Sequence, residues 1–273
     1  MTTRSDPRWR LALPMYNLTT DLGRAWERLL GAVVDGLRQR GWRDAMDIVA
    51  APPDLIGFWR SSDLLLSQSC GYPLATVLGD AVRVIAAAEF DWPGCSGVQY
   101  CSAIVVAEGA ADSLEALRGK VAAVNETHSH SGMNALRHTI APMAQGGRFF
   151  ERVIVAGSHL ASLRALRRGQ ADVAAVDCVT LALAQQEAPG ALAGLRVLLH
   201  TAPAPGLPLV ASRRLDDSQA ADLLAVLQDL PVAVPSLMAR LGLRRFSSIG
   251  LGDYQPILDM QRSAQSQAYP LLA

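Results

Sequence analysis

Residues 121–137 read VAAVNETHSHSGMNALR. A short apolar strand runs into a loop, and the loop runs into a helical pattern. Thr127, Ser129 and Ser131 alternate with His128 and His130, and Gly132 follows. A helix start leaves its first N–H groups unpaired and carries partial positive charge, which suits an oxyanion. Ser129 and Ser131 can add hydroxyl hydrogens, and Gly132 would let a ligand approach the backbone closely. The ordinary alternative is that one serine caps the helix, an interaction worth about 1 kcal/mol. One cap needs only one hydroxyl, so the surplus favours a site.

The chain has 273 residues, half of them hydrophobic and 18% charged. That length and composition suit a folded protein of two lobes, each of about 100–150 residues. Its 25 basic and 25 acidic residues balance, which removes the electrostatic footprint of a nucleic-acid binder. No stretch reaches the roughly 18 apolar residues of a membrane span. The opening MTTRSDPRWRLALPMY contains no apolar run of the about 7–15 residues an export signal requires. If Met1 is the true start, a cytoplasmic location is expected. Cys70, Cys95, Cys101 and Cys178 lack metal-site spacing and are expected to be buried thiols. A Cys70–Cys95 bridge is the alternative, and it would imply an oxidising compartment.

Apolar runs alternate with helical patterns along the chain, the signature of α/β architecture. Strands are expected at 11–16, 47–52, 63–68, 82–90 and 99–109, with a helix reaching about residue 40 after the first. The pattern restarts with strands ending at residue 125, at 150–157, at 171–178 and at 194–202. Helices are expected from the 127–131 loop to about residue 145, and at 159–170 and 180–186. Helices near 217–229, 232–241 and 254–266 have no strand block of their own and must pack onto earlier elements. The economical solution is one lobe of residues 1–101 and 203–273, with a second lobe, 102–202, inserted into it, each lobe a mixed sheet flanked by helices. A two-strand hinge would join them.

Ligands of open α/β sheets bind beyond the carboxyl ends of the strands. Polar loops stand there at Met15-Tyr16-Asn17, Ser69-Cys70-Gly71-Tyr72, Ser129-His130-Ser131-Gly132 and Ser158-His159, and Asp177 closes a fifth strand. Asp177 caps the helix that follows it or touches a ligand; the sequence leaves both open. His128, His130 and His159 could converge on a metal, but no carboxylate or thiolate joins them at ligand spacing, so no metal and no cofactor is expected. Neither a nucleophile elbow nor a phosphate-loop motif occurs.

In order and spacing, SQSCGYPL (67–74), GCSGVQYCSAIVVAEG (94–109), LRGKVAAVNETHSHSGMNALR (117–137), VAGSHLASLRALRRGQADVAAVD (155–177) and HTAPAPGLPLVAS (200–212) resemble the periplasmic phosphonate/phosphite-binding proteins of ABC importers. The resemblance covers roughly residues 10–215. It implies a type II periplasmic-binding-protein fold, a periplasmic location, and a small oxyanion such as a phosphonate, phosphite or phosphate-like ligand captured between the lobes. It implies an ABC permease as partner and a monomer. Carried over by position, the family's anion loop falls on Ser129, His130, Ser131 and Gly132, its following histidine on His159, and its first-lobe aromatics on Tyr72 and Tyr16. The sequence departs from the pattern at His130, where the family often has another small hydroxyl residue. It also departs in lacking an export signal.

Two function classes follow. A non-catalytic solute receptor would hold an oxyanion with hydroxyls, amides and His159. A cytoplasmic enzyme on the same scaffold, of the menaquinone-route or thiamin-precursor type, would use His130 or His159 as base with Asp177 orienting it. A ligand sensor without a transporter is a third possibility.

Overall fold

A computed structural model of the chain describes residues 8–50 and 52–273. The first seven residues of the stretch read for an export signal, and residue 51 of the expected strand 47–52, lie outside that range. The strands, in chain order, are β1 (Arg8–Ala12), β2 (Ala45–Ile48), β3 (Leu64–Gln68), β4 (Val82–Phe90), β5 (Cys95–Ser96), β6 (Gln99–Tyr100) and β7 (Ser102–Ala107). They continue with β8 (Val121–Val124), β9 (Arg152–Val155), β10 (Val173–Asp177), β11 (Leu195–His200), β12 (Ala204–Pro205), β13 (Pro208–Ser212) and β14 (Leu243–Ser247). Contacts group the chain into two compact units, Met1–Asp91 with Gly206–Asp253, and Trp92–Pro205 with Tyr254–Ala273.

The first unit is built on a mixed sheet of order β14-β4-β13-β3-β1-β2, in which β1 runs parallel to both neighbours. Its central strands read as continuous apolar runs because both faces are covered; Leu11, Leu64, Leu65 and Leu66 are fully buried. The helix Thr20–Gln39 places Leu22, Trp26, Leu29, Leu30, Val33 and Leu37 on one buried stripe, the 3.6-residue repeat of a core-facing helix. Thr19 caps it by accepting from the Leu22 amide at 3.2 Å. The helix Asp217–Ala233 packs against it closely, and at Gly36 an added Cβ would come 2.7 Å from Val226.

The second unit carries a five-stranded sheet, β11-β7-β10-β8-β9. Here β8, β9 and β10 are mutually parallel, while β7 runs antiparallel to β10 and β11. The alternation of a strand divides its core into two faces. Ile104, Val106, Val173 and Ala175 join Leu136, Ile140, Phe149 and Phe150 on one face. Ala103, Val105, Ala174 and Val176 join Leu163 and Leu166 on the other. A small sheet, β12-β6-β5, completes the unit.

Several boundaries differ from the sequence expectation. The run 99–109 is broken at Cys101, whose amide donates to Gly94 instead of continuing a ladder. The strand β14 was not anticipated, because Arg244 and Arg245 interrupt its apolar pattern. Arg245 lies against the buried Glu89 of β4, donating to it at 2.8 Å. The final helix, Gln255–Ser266, belongs with the second unit, not with the lobe expected for it. Ala264 and Tyr269 sit in the core beside Phe150, and the Ile257 carbonyl accepts from the Asn134 side-chain amide. Tyr269→Ala is therefore expected to lower the stability of the second unit by about 3 kcal/mol, the range for emptying a buried aromatic site, read as a lower urea midpoint.

Candidate functional site

The strands β8, β9 and β10 end at one edge of the second unit's sheet, and each delivers a polar loop there. Past β8, Asn125 leads into Ser129 and the helical stretch His130–Ile140, whose first turn, His130–Asn134, is π-helical. The Ser129 carbonyl accepts from the Asn134 amide at 3.1 Å, the five-residue spacing of that wide turn. Past β9, the ladder to β8 extends through the amides of Ala156 and Gly157, which donate to Val124 and Asn125 at 2.8 Å each. That extension delivers Ser158 as helix cap and His159 as first helical residue. At the end of β10, Asp177 caps the helix Cys178–Glu187.

These loops bring Ser129, Ser131, His159 and Asp177 together. The Ser129 Oγ accepts from the Gly132 amide at 3.0 Å and lies 3.4 Å from the Ser131 Oγ. The Ser131 Oγ lies 2.9 Å from His159 Nε2, and the same nitrogen lies 3.3 Å from Asp177 Oδ2. The Asp177 carboxylate also accepts from the Thr180 amide at 2.8 Å and hydroxyl at 2.6 Å. A carboxylate only accepts, and in the Nε2–H tautomer the ring nitrogen donates toward both Asp177 and Ser131. Both serine oxygens are then engaged as acceptors. Even if one hydroxyl hydrogen is shared between the serines, the other is left to donate to a bound group.

The electrostatics are those of neutral donors. Burial holds the His159 pKa below the usual histidine range, against the opposing pull of Asp177 and the Ala175 carbonyl. Its buried Nδ1 makes no hydrogen bond of full geometry. This is not a nucleophile relay: a catalytic serine and its carboxylate bind opposite imidazole nitrogens, whereas here both face Nε2.

The other expected site residues have different surroundings. His130 is buried, with its Nδ1 3.2 Å from the Asn134 amide nitrogen and its ring 6.2 Å from that of Tyr100. Burial, with a smaller contribution from His138, depresses it to about 3, so it brings no positive charge. Gly132 is packed against Asn125 where a side chain would stand. A Cβ there would lie 1.9 Å from Asn125 Oδ1, so the missing side chain makes space for Asn125. Asp177 is a cap and the partner of His159 at once. His128 is exposed, and among the described residues no group of three His, Cys, Asp or Glu could hold a metal. Tyr16 and Tyr72 belong to the first unit. Tyr16 is buried edge-on against Phe90 at 5.6 Å, and Tyr72 lies in the short helix Gly71–Pro73. Cys70 also lies in the first unit, whereas the Cys95 sulfur faces Cys178.

Sequence reasoning missed Thr180, Asn125, Asn134 and Arg137. The D-x-x-T spacing of Asp177 and Thr180 was the readable signal, since it is the spacing of a side-chain cap. Asn134 is buried and ties three segments together: it faces His130, donates to Ile257 and accepts from Arg137 at 2.6 Å. Arg137 in turn donates to Pro270 at 2.7 Å.

The comparisons with known proteins agree with this architecture. Residues 61–254 match the family model described as ABC transporter, phosphonate, periplasmic substrate-binding protein. The chain belongs to this family. No curated protein sequence matches it. Among solved structures it resembles a binding protein component of an ABC phosphonate transporter from Pseudomonas aeruginosa, with 18% identity and a TM-score of 0.78 over 96% of this chain and 88% of that one. The Prochlorococcus marinus protein PhnD1, solved in complex with methylphosphonate, gives 15% identity and 0.75 over 95% and 98%. A Xanthomonas citri protein bound to ATP gives 18% and 0.70 over 96% and 98%. The fold is that of the type II periplasmic binding proteins.

Two outcomes are expected. Gly132→Ala forces the helix start away from Asn125 and destabilises by about 2 kcal/mol. Asn125→Ala in the same chain should recover most of that loss in a double-mutant cycle read by urea unfolding. The depressed His130 gives a pH dependence. In the unfolded chain it protonates near its usual value, about 6.5, while in the fold it stays neutral down to about 3. Between these values the unfolded state binds more protons, so stability falls with falling pH by about 1.4 kcal/mol per unit from this residue. Unfolding curves of wild type and His130→Gln between pH 7 and 4 should diverge accordingly, with the variant less pH-sensitive.

Proposed function

We propose that the chain is a solute receptor whose second unit holds a small phosphonate-type oxyanion with Ser129, Ser131 and the imidazole edge of His159. The observation that carries this reading is the Ser131 Oγ 2.9 Å from His159 Nε2, a nitrogen that Asp177 Oδ2 also approaches at 3.3 Å. In the Nε2–H tautomer the Ser131 oxygen is an acceptor, and its hydroxyl hydrogen is left to donate. The helix start adds partial positive charge at the same edge. Formal cations are unnecessary, because hydrogen bonds strengthen where water is excluded. Phosphonate, phosphite and phosphate share the tetrahedral, oxygen-rich anion that such donors recognise.

Family membership supports a receptor over an enzyme, and it supports a periplasmic site of action with an ABC permease as partner. Tyr16 and Tyr72 are proposed ligand contacts on the sequence resemblance alone. The helices of the described residues give no membrane-crossing candidate.

Titration calorimetry with methylphosphonate, phosphite and phosphate tests the reading. At least one should bind, and Ser131→Ala should weaken it by about 10- to 100-fold, the loss of a hydrogen bond to a charged group. Circular dichroism should show an unchanged fold. Absence of heat and of thermal stabilisation with all three anions at millimolar concentration would end the proposal.

A further inference from the structure

Three sulfurs of the second unit lie outside the anion-binding arrangement. Cys95 stands in β5, Cys101 between β6 and β7, and Cys178 opens the helix capped by Asp177. The Cys95 and Cys178 sulfurs are 3.4 Å apart although 83 positions separate them in the chain. Gly94, at φ +89°, brings the hairpin backbone down onto the thiols: a Cβ there would lie 2.8 Å from Cys101 Sγ and 3.3 Å from Cys178 Sγ. No disulfide joins any of the four cysteines.

We propose that Cys95 and Cys178 are a modification site, a dithiol that closes to a disulfide by exchange with a small disulfide such as oxidised glutathione. Cys95 is half-buried, whereas Cys101 and Cys178 are buried, so Cys95 is the thiol a reagent meets first. Its thiolate attacks one sulfur of the reagent, the reagent S–S bond breaks, and one small thiol leaves. The Cys178 thiolate then attacks the Cys95 sulfur of the mixed disulfide and expels the second small thiol. Two protein thiols are oxidised, one small disulfide is reduced to two thiols, and the protons of Cys95 and Cys178 end on those products.

Cys101 is the competing partner, and strand geometry disfavours it. Asp177 pairs with Ser102 across β10 and β7, and the Cys178 amide donates to the Cys101 carbonyl at 3.0 Å, so these two cysteines face each other across antiparallel backbone. Directly opposed residues keep their Cβ atoms about 4.5–5.5 Å apart, wider than the roughly 3.8 Å of a disulfide. Cys95 approaches from a separate hairpin and has no such spacing imposed on it. A hydrogen bond from Cys101 favours the Cys178 thiolate, but contact with Cys95 and burial outweigh it and push Cys178 up to about 12. The second exchange step is therefore the slow one and accelerates with pH. The family is periplasmic, a setting in which protein thiols meet oxidants.

The test uses the full chain, oxidised glutathione, thiol counting after denaturation, and peptide mapping. Two of the four thiols should disappear, a linked peptide pair carrying Cys95 and Cys178 should appear, and the thermal midpoint should rise by about 5 °C. Cys95→Ser should abolish the loss of paired thiols and the shift, while Cys101→Ser and Cys70→Ser should retain both. Four thiols surviving oxidation, a Cys101–Cys178 linkage, or only a glutathione adduct on Cys95 would each overturn the proposal. Anion binding enters none of these readouts, so the outcome is independent of the receptor reading.

Discussion

Asp177 accepts from the Thr180 amide, the Thr180 hydroxyl and the His159 imidazole, and these contacts tie the end of β10 to a helix start and to the loop after β9. A buried carboxylate with fewer donors would be costly to keep. With them it becomes an anchor for His159, whose Nε2 lies between it and the Ser131 hydroxyl. The order of causation runs from strand order to cap, from cap to imidazole, and from imidazole to serine. Each member has its position from backbone ladders or helix starts.

The choice of uncharged donors also has a physical basis. A buried cation would need its own compensation in the empty site, whereas a hydroxyl and an amide cost less to hold without a partner. Arg137 illustrates the alternative in this molecule. It is buried on the helical stretch that Ser129 caps, but its guanidinium is turned toward Asn134 and Pro270, where it fastens the C-terminal segment. Arg137 thus spends its buried positive charge on architecture, while the donors at the strand ends are uncharged.

The fold was legible because its strands are runs such as LLLS and VAAV, buried on both faces, separated by helices with 3.6-residue apolar spacing. The hydroxyl-rich loop after β8 and the histidine after β9 were legible for a related reason: polar residues where an apolar run stops mark the edge of a sheet. What escaped the sequence depended on distance in the chain. The contact of Asn134 with Ile257 spans 123 positions, and nothing local announces it. The same holds for the last helix, whose apolar stripe shows that it packs but not on what. Of the histidines, His130 and His159 look alike in sequence; only their neighbours, Tyr100 and Asn134 for one and Ser131 and Asp177 for the other, separate a core ring from a ring at the site.

The crowding of Gly132 by Asn125 couples the two positions. A position emptied to seat a neighbouring amide is constrained by scaffold geometry, so a larger side chain at 132 demands a smaller one at 125. That demand is separate from any role of the hydroxyls at 129 and 131.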